Sequence, residues 1–162
     1  MSYFSTMPEF DTAVTDTRGG AAVGMLQELP MLELGAILLL RHWCDGEVGR
    51  AAVGRDFAAL GSGGVGGETL LAELVTLFAG HGRRPLMRHG VACACFGGDE
   101  AAFAQMIAAA TVGDRDDAMA FALILLPVAQ AFVAVQAAGR LGPIILRLAR
   151  DATRSGAAPT HH

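Results

Sequence analysis

Apolar side chains recur at helical spacing along most of this chain. Residues 68–79 show the pattern most cleanly, with leucines and one phenylalanine on one face of a helix and the acidic residues on the other. The same spacing predicts a short first helix that begins near Ala21 and is ended by Pro30. It also predicts helices over residues 31–44, 47–60, 99–110 and 143–154. The sequence contains no alternating run of strand length, so the pattern predicts an all-α fold.

One stretch is apolar on every side of a helix. Residues 118–138 form a run of 21 residues without a charge, which is long enough to cross a bilayer. Pro127, two glutamines and many alanines make the run only mildly apolar, so a buried core helix, kinked at Pro127, is favoured over a membrane span. Two glycines and a proline in residues 139–143 predict a break before the last helix. The predicted architecture is a single-domain helical bundle of six to seven helices around the central apolar helix.

The length of 162 residues fits one domain. Residues 1–19 lack periodicity and are predicted to form a flexible N-terminal arm, residues 20–155 the helical domain, and residues 156–162 a disordered tail. The chain has three cysteines, an odd number, and its first residues are polar and acidic. Both features predict a reducing, cytoplasmic setting in which the thiols are free or bound to metal.

Charge is unevenly distributed along the chain, whose net charge is −4. Residues 1–80 carry four arginines and ten acidic residues, whereas residues 81–162 carry eight arginines and six acidic residues. An acidic chain lacks the basic excess of a general nucleic-acid binder, so nucleic acid is not an expected partner. The arginines of the second half are either ordinary solvated surface or a site for an acidic protein partner, formed by Arg83, Arg84, Arg88, Arg147, Arg150 and Arg154.

Reactive side chains concentrate in residues 81–103, a segment too rich in proline and glycine to be one helix. Imidazoles and thiols together suit zinc or another thiophilic ion, and the predicted ligands are His81, His89, Cys93 and Cys95. His42 and Cys44 are further candidates if helix 31–44 packs nearby. One residue separates the two cysteines, whereas common zinc knuckles have two, so other interpretations stay open. In one alternative the two cysteines are small buried hydrophobic residues. In the other they are reactive thiols, whose thiolate form the neighbouring arginines favour.

The glycine-rich stretch 61–67 matches the G-x-G-x-x-G spacing of dinucleotide-binding loops. Gly67 stands where a phosphate-binding loop has its lysine, and the preceding residues have a helical pattern where both motifs need a strand. The stretch is therefore predicted to be a connector between helices.

Two hypotheses about function follow. The favoured one is a non-enzymatic accessory, adaptor or regulatory protein that acts through protein–protein interaction, including self-association, because the chain has more apolar residues than one core requires. It needs no cofactor. The alternative is a metal-dependent or thiol-dependent sensor or enzyme, with zinc as its cofactor, built on the His81–Cys95 region.

Overall fold

The computed structural model describes residues 17–156, which form six helices and one two-stranded sheet. The helices are α1 (Met31–Trp43), α2 (Gly46–Ala59), α3 (Gly67–His81), α4 (Gly98–Thr111), α5 (Arg115–Leu125) and α6 (Val128–Gly156). The prediction of an all-α helical bundle is confirmed, and α1 to α4 begin and end within two residues of their predicted bounds. Most of the expected N-terminal arm (residues 1–16) and of the expected tail (residues 157–162) lies outside the described residues.

Helix α4 lies at the centre of the bundle, where it packs against α1, α5 and α6. Phe103, Met106 and Ile107 on this helix are fully buried. The ring of Phe103 meets that of Phe78 on α3 edge to face, with the ring centroids 5.6 Å apart. Burying one such side chain contributes about 1.5–3 kcal/mol to stability. The segment that enters α4 is therefore attached to a well-packed part of the chain.

The predicted central helix over 118–138 is instead two helices, α5 and α6. Leu126, which precedes Pro127, is extended with φ −129° and ψ 152°, the conformation that a following proline favours. The carbonyl of Pro127 then accepts the N–H of Ala131 at 2.8 Å, and a proline at a helix start loses no hydrogen bond through its missing N–H. Pro127 therefore ends one helix and begins the next, where a kink was expected.

The break expected at residues 139–143 is absent, because α6 continues through this region to Gly156. The small residues here serve helix packing. A Cβ at Gly142 would collide with the side chain of Thr111, and a Cβ at Gly139 would lie 3.3 Å from the carbonyl oxygen of Ala110. These glycines let α6 approach the C-terminal end of α4, a long-range role that the local sequence pattern does not reveal.

The helix expected near Ala21 is also absent. After a 3₁₀ turn at Thr17–Gly20, residues Ala22–Met25 form strand β1, which pairs antiparallel with strand β2, residues Cys95–Gly97. The N–H of Leu26 extends the ladder by donating to the carbonyl of Ala94 at 2.8 Å. Pairing with a distant segment therefore overrides the local helical preference. The sheet holds the N-terminal residues against the segment between α3 and α4.

Helix α6 is long and apolar enough to cross a membrane by length and composition, and 39% of its most apolar window is buried inside the protein. A core helix of a soluble bundle has the same properties.

Candidate metal centre

A buried ion pair between Arg41 on α1 and Glu100 on α4 underlies the site. Both side chains are completely inaccessible to solvent. Arg41 Nε donates to Glu100 Oε1 at 2.6 Å and Arg41 Nη2 donates to Oε2 at 3.0 Å. The contact is therefore bidentate, the arrangement in which guanidinium and carboxylate interact most strongly.

The same pair holds the irregular segment 82–97 in place through its backbone. Arg41 Nη1 donates to the carbonyls of Gly90 at 3.2 Å and Cys93 at 2.7 Å, and Nη2 donates to the carbonyl of Cys95 at 2.6 Å. Each of the five N–H donors of the guanidinium thus has an acceptor. Glu100 in turn accepts the backbone N–H groups of His89 at 3.2 Å and Gly97 at 3.0 Å.

These contacts keep both side chains charged. Burial alone would raise the pKa of Glu100, but the hydrogen bonds from Arg41 and from the N–H groups of Gly97 and His89 together hold that pKa below its ordinary value. The hydrogen bond to Glu100 is also the main reason why the pKa of Arg41 is raised. The segment is therefore pinned by a true ion pair.

A second ion pair supports the same segment from its N-terminal side. Arg84 Nη1 lies 2.5 Å from Asp99 Oδ2 and Nη2 lies 2.6 Å from Oδ1. Asp99, only 2% exposed, also accepts the N–H of Met87 at 2.8 Å. Asp99 lies inside the first turn of α4, where the N-cap is Gly97. The two acidic residues at the start of α4 therefore both organise the preceding segment.

Three of the four predicted metal ligands converge on one point. His89 Nδ1 lies 3.4 Å from Cys93 Sγ and 3.1 Å from Cys95 Sγ, and the two sulfur atoms are 2.9 Å apart. All three side chains are half-buried. The cysteines are two residues apart in chain order and their sulfur atoms lie on the same side, although only Cys95 belongs to β2.

A hydrogen bond on the far side of the imidazole fixes the role of each ring nitrogen. His89 Nε2 lies 2.6 Å from the carbonyl oxygen of Gly20. Because a carbonyl can only accept, Nε2 carries the proton, and in the neutral ring the lone pair of Nδ1 points at the two sulfurs. A metal-binding histidine is typically oriented by this kind of second hydrogen bond.

The electrostatics of the cluster favour a thiolate. Hydrogen bonds from Cys95 and then from His89, whose Nδ1 can donate only when the ring is protonated on both nitrogens, lower the pKa of Cys93 to about 7. The contact with Cys93 raises the pKa of Cys95, which keeps the proton that it donates. The hydrogen bond to Cys93, and next the one to Gly20, raise the pKa of His89. The contacts of Cys93 therefore favour its thiolate form, the form that binds metal.

The other candidate ligands lie elsewhere. His81 is the last residue of α3, is exposed, lines a surface cavity between α3 and α6, and is not part of the cluster. Cys44 follows α1 and is half-buried; it and His42 also lie outside the cluster. Among the described residues, the cluster contains His89, Cys93 and Cys95 alone.

The six arginines predicted to bind a partner lie in two groups. Arg83, Arg84 and Arg88 belong to the irregular segment, and Arg84 there is paired with Asp99. Arg147, Arg150 and Arg154 are exposed along α6, and Arg154 lies 3.9 Å from Asp151. The two groups therefore lie on different elements of the fold, the irregular segment and α6.

Sequence reasoning missed Arg41 and did not foresee the supporting role of Glu100. A signal for Arg41 exists, because this charged residue occupies a position on the otherwise apolar face of helix 31–44, and arginine is rarely buried without a partner. For Glu100, the signal is its position at the third residue of a helix, where a glutamate often accepts the N–H of the N-cap residue.

Comparison with known proteins gives no match to a family model, to a curated protein or to a solved structure. The chemistry of the site is therefore inferred from its own atoms.

Replacing Arg41 by methionine should strongly destabilise the protein. The substitution leaves the buried Glu100 carboxylate without its counter-ion and releases three backbone carbonyls, so the free energy of unfolding should fall by about 3–5 kcal/mol. Urea denaturation followed by circular dichroism measures this change. The matched control is Asp151→Asn, which removes an exposed ion pair and should change stability by less than about 0.5 kcal/mol. Similar small effects of both substitutions would contradict the structural role assigned to Arg41.

Proposed function

We propose that this protein binds a thiophilic metal ion, zinc foremost, through His89 Nδ1, Cys93 Sγ and Cys95 Sγ, and acts as a small metal- or thiol-responsive regulator. The observation that supports this proposal most strongly is the convergence of the three ligand atoms, combined with the hydrogen bond that directs the Nδ1 lone pair toward the sulfurs. Cysteines that were only small hydrophobic residues would need no imidazole oriented toward them.

The dimensions of the cluster suit such an ion after a small adjustment. Zinc binds sulfur at about 2.3 Å and nitrogen at about 2.0–2.1 Å, which places tetrahedral ligand atoms roughly 3.5–3.8 Å apart. The nitrogen–sulfur distances are close to this range, whereas the sulfurs must separate by roughly 1 Å. Rotation of the two half-buried thiols about their Cα–Cβ bonds changes the sulfur–sulfur distance without moving the backbone that Arg41 holds.

Three protein ligands also define what kind of site this is. A four-coordinate zinc held by two cysteines and one histidine has one bond left for water or an exogenous molecule. Such a site suits a sensor, because the ion remains accessible to exchange and to competing ligands. Thiolate ligation needs reduced cysteines, so we place the protein in the reducing cytoplasm.

Tag-free protein prepared with zinc should contain about one zinc per chain. Substitution of any ligand, in His89→Ala, Cys93→Ser or Cys95→Ser, should abolish stoichiometric binding, because two protein ligands do not retain the ion. Cys44→Ser and His81→Ala are the controls and should keep full zinc content. Elemental analysis measures the zinc, and the thiolate-to-metal absorption of the cobalt-substituted protein reports the ligand type.

Zinc affinity should also fall as the pH is lowered through about 7, the pKa of Cys93, because protons compete with the metal for sulfur and nitrogen. Equal zinc content in the His89→Ala and His81→Ala variants would contradict the proposal.

We propose self-association as a second function, on the basis of an exposed apolar patch. Large apolar side chains at the junction of α5 and α6 are more than half exposed: Ile124 (56%), Val128 (66%), Phe132 (57%) and Val133 (55%). The patch lies within the run 118–138, which has no charged residue. An uncharged patch has its best complement in an identical patch, so a second copy of the chain, related by two-fold symmetry, is the proposed partner.

The double substitution Val128→Ser/Phe132→Ser should therefore convert a dimer into a monomer, because it removes apolar surface from the centre of the interface. Light scattering coupled to size-exclusion chromatography measures the mass. Val48→Ser on α2 removes an apolar side chain that is 82% exposed and should leave the mass unchanged. A wild-type protein that is monomeric at all concentrations would contradict this second proposal. That result would not affect the proposal of a metal site.

A further inference from the structure

A cavity of about 580 Å³ lies between the end of α1, the outer part of α3 and the first half of the irregular segment. Its floor is apolar: the side chains of Val75 and Leu86 are partly exposed there, above the buried side chains of Leu40 and Phe78. The volume falls within the range of about 300–1,000 Å³ that is typical of small-molecule sites. The metal centre uses none of these residues.

The rim of the cavity is positively charged. Arg83, Arg84 and Arg88 line it, and no acidic residue does. Arg84 is neutralised by Asp99. Arg83 and Arg88 are exposed and have no acidic partner within 4.0 Å among residues 17–156. The cavity therefore carries an excess of positive charge next to an apolar floor.

Backbone carbonyls orient these two arginines at the rim. Arg83 Nε donates to the carbonyl of Leu123 at 3.1 Å, and Arg88 Nη2 donates to the carbonyl of Cys44 at 3.0 Å. Each bond uses only part of the guanidinium, which has five donors. The remaining N–H groups are available for the bidentate contact that guanidinium makes with a carboxylate.

We propose that this cavity binds a small anionic amphiphile, a carboxylate with an apolar tail, whose carboxylate lies between Arg83 and Arg88 and whose tail covers the apolar floor. Neither part suffices alone. A carboxylate without a tail would leave the partly exposed side chains of Val75 and Leu86 in contact with water, and an uncharged tail would leave Arg83 and Arg88 without an acidic partner. The proposal is independent of the metal centre and of self-association.

The thiol of Cys44 provides a reporter at the cavity wall. Burial is the main reason why the pKa of Cys44 is raised, with Arg88 and Arg50 acting in the opposite direction. A ligand in the cavity would shield this thiol from solution, whereas Cys93 and Cys95 lie outside the cavity.

The test is calorimetric titration of the full-length protein with decanoate. We expect saturable one-to-one binding, with decanol, which lacks the charge, and acetate, which lacks the tail, each weaker by about tenfold or more. Decanoate should also slow alkylation of Cys44, mapped by mass spectrometry, and leave the rates at Cys93 and Cys95 unchanged.

Two variants locate the binding. Arg83→Gln/Arg88→Gln should weaken decanoate binding by about tenfold or more, since charged hydrogen bonds to the carboxylate are lost. Its matched control, Arg150→Gln/Arg154→Gln, makes the same change of net charge on α6 and should bind as the wild type does. Ala79→Leu places a larger side chain at the exposed edge of the cavity and should block the tail, whereas Ala58→Leu on the exposed face of α2 should not.

The proposal is overturned if decanoate does not saturate, if both arginine pairs have the same effect, or if Cys44 is not protected in the wild type. Binding to phosphatidylglycerol vesicles in place of monomeric decanoate would also overturn it, because the cavity would then be part of a membrane-facing surface. The Cys44 measurement uses the unmodified chain, so it does not depend on whether any variant folds.

Discussion

The buried ion pair between Arg41 and Glu100 is the contact on which the rest of this structure depends. The segment between α3 and α4 is irregular for most of its length, and backbone groups without regular secondary structure still need hydrogen-bond partners when they are buried. Arg41 supplies donors to three carbonyls of the segment, and Glu100 supplies acceptors to two of its N–H groups. Two side chains thus replace the hydrogen bonds that a helix or a sheet would provide.

The same pair places the reactive side chains. It binds the carbonyls of Cys93 and Cys95 and the N–H of His89, so the backbone of each proposed metal ligand is held by one end of the pair. Removing a charged side chain from water costs several kcal/mol of free energy per ion. Here the bidentate contact and the five hydrogen bonds to the backbone offset that cost. We infer that the pair is retained here because it specifies one conformation of the segment. Strand β1 completes the arrangement, because its neighbour Gly20 orients the imidazole.

Local patterns were sufficient for much of the fold but not for its long-range contacts. Helices α1 to α4 could be predicted because each has an amphipathic repeat of its own. The continuity of α6 could not, since Gly142 was interpreted as a breaker when its role is to let Thr111 approach. In the site, the concentration of cysteine and histidine along the sequence indicated His89, Cys93 and Cys95. His81 was also indicated, but it lies at the exposed end of α3, away from the other three. Arg41 was missed because its partners are more than forty positions away in the chain.

The central claim is that the Arg41–Glu100 pair holds this irregular segment through its backbone hydrogen bonds, and amide hydrogen exchange followed by NMR tests it most directly. The N–H groups of His89 and Gly97, which donate to Glu100, should exchange at least about 100-fold more slowly than that of Ala92 on the exposed turn. Exchange of His89 and Gly97 at the rate of Ala92 would contradict the account, because the carboxylate would then not be holding the segment.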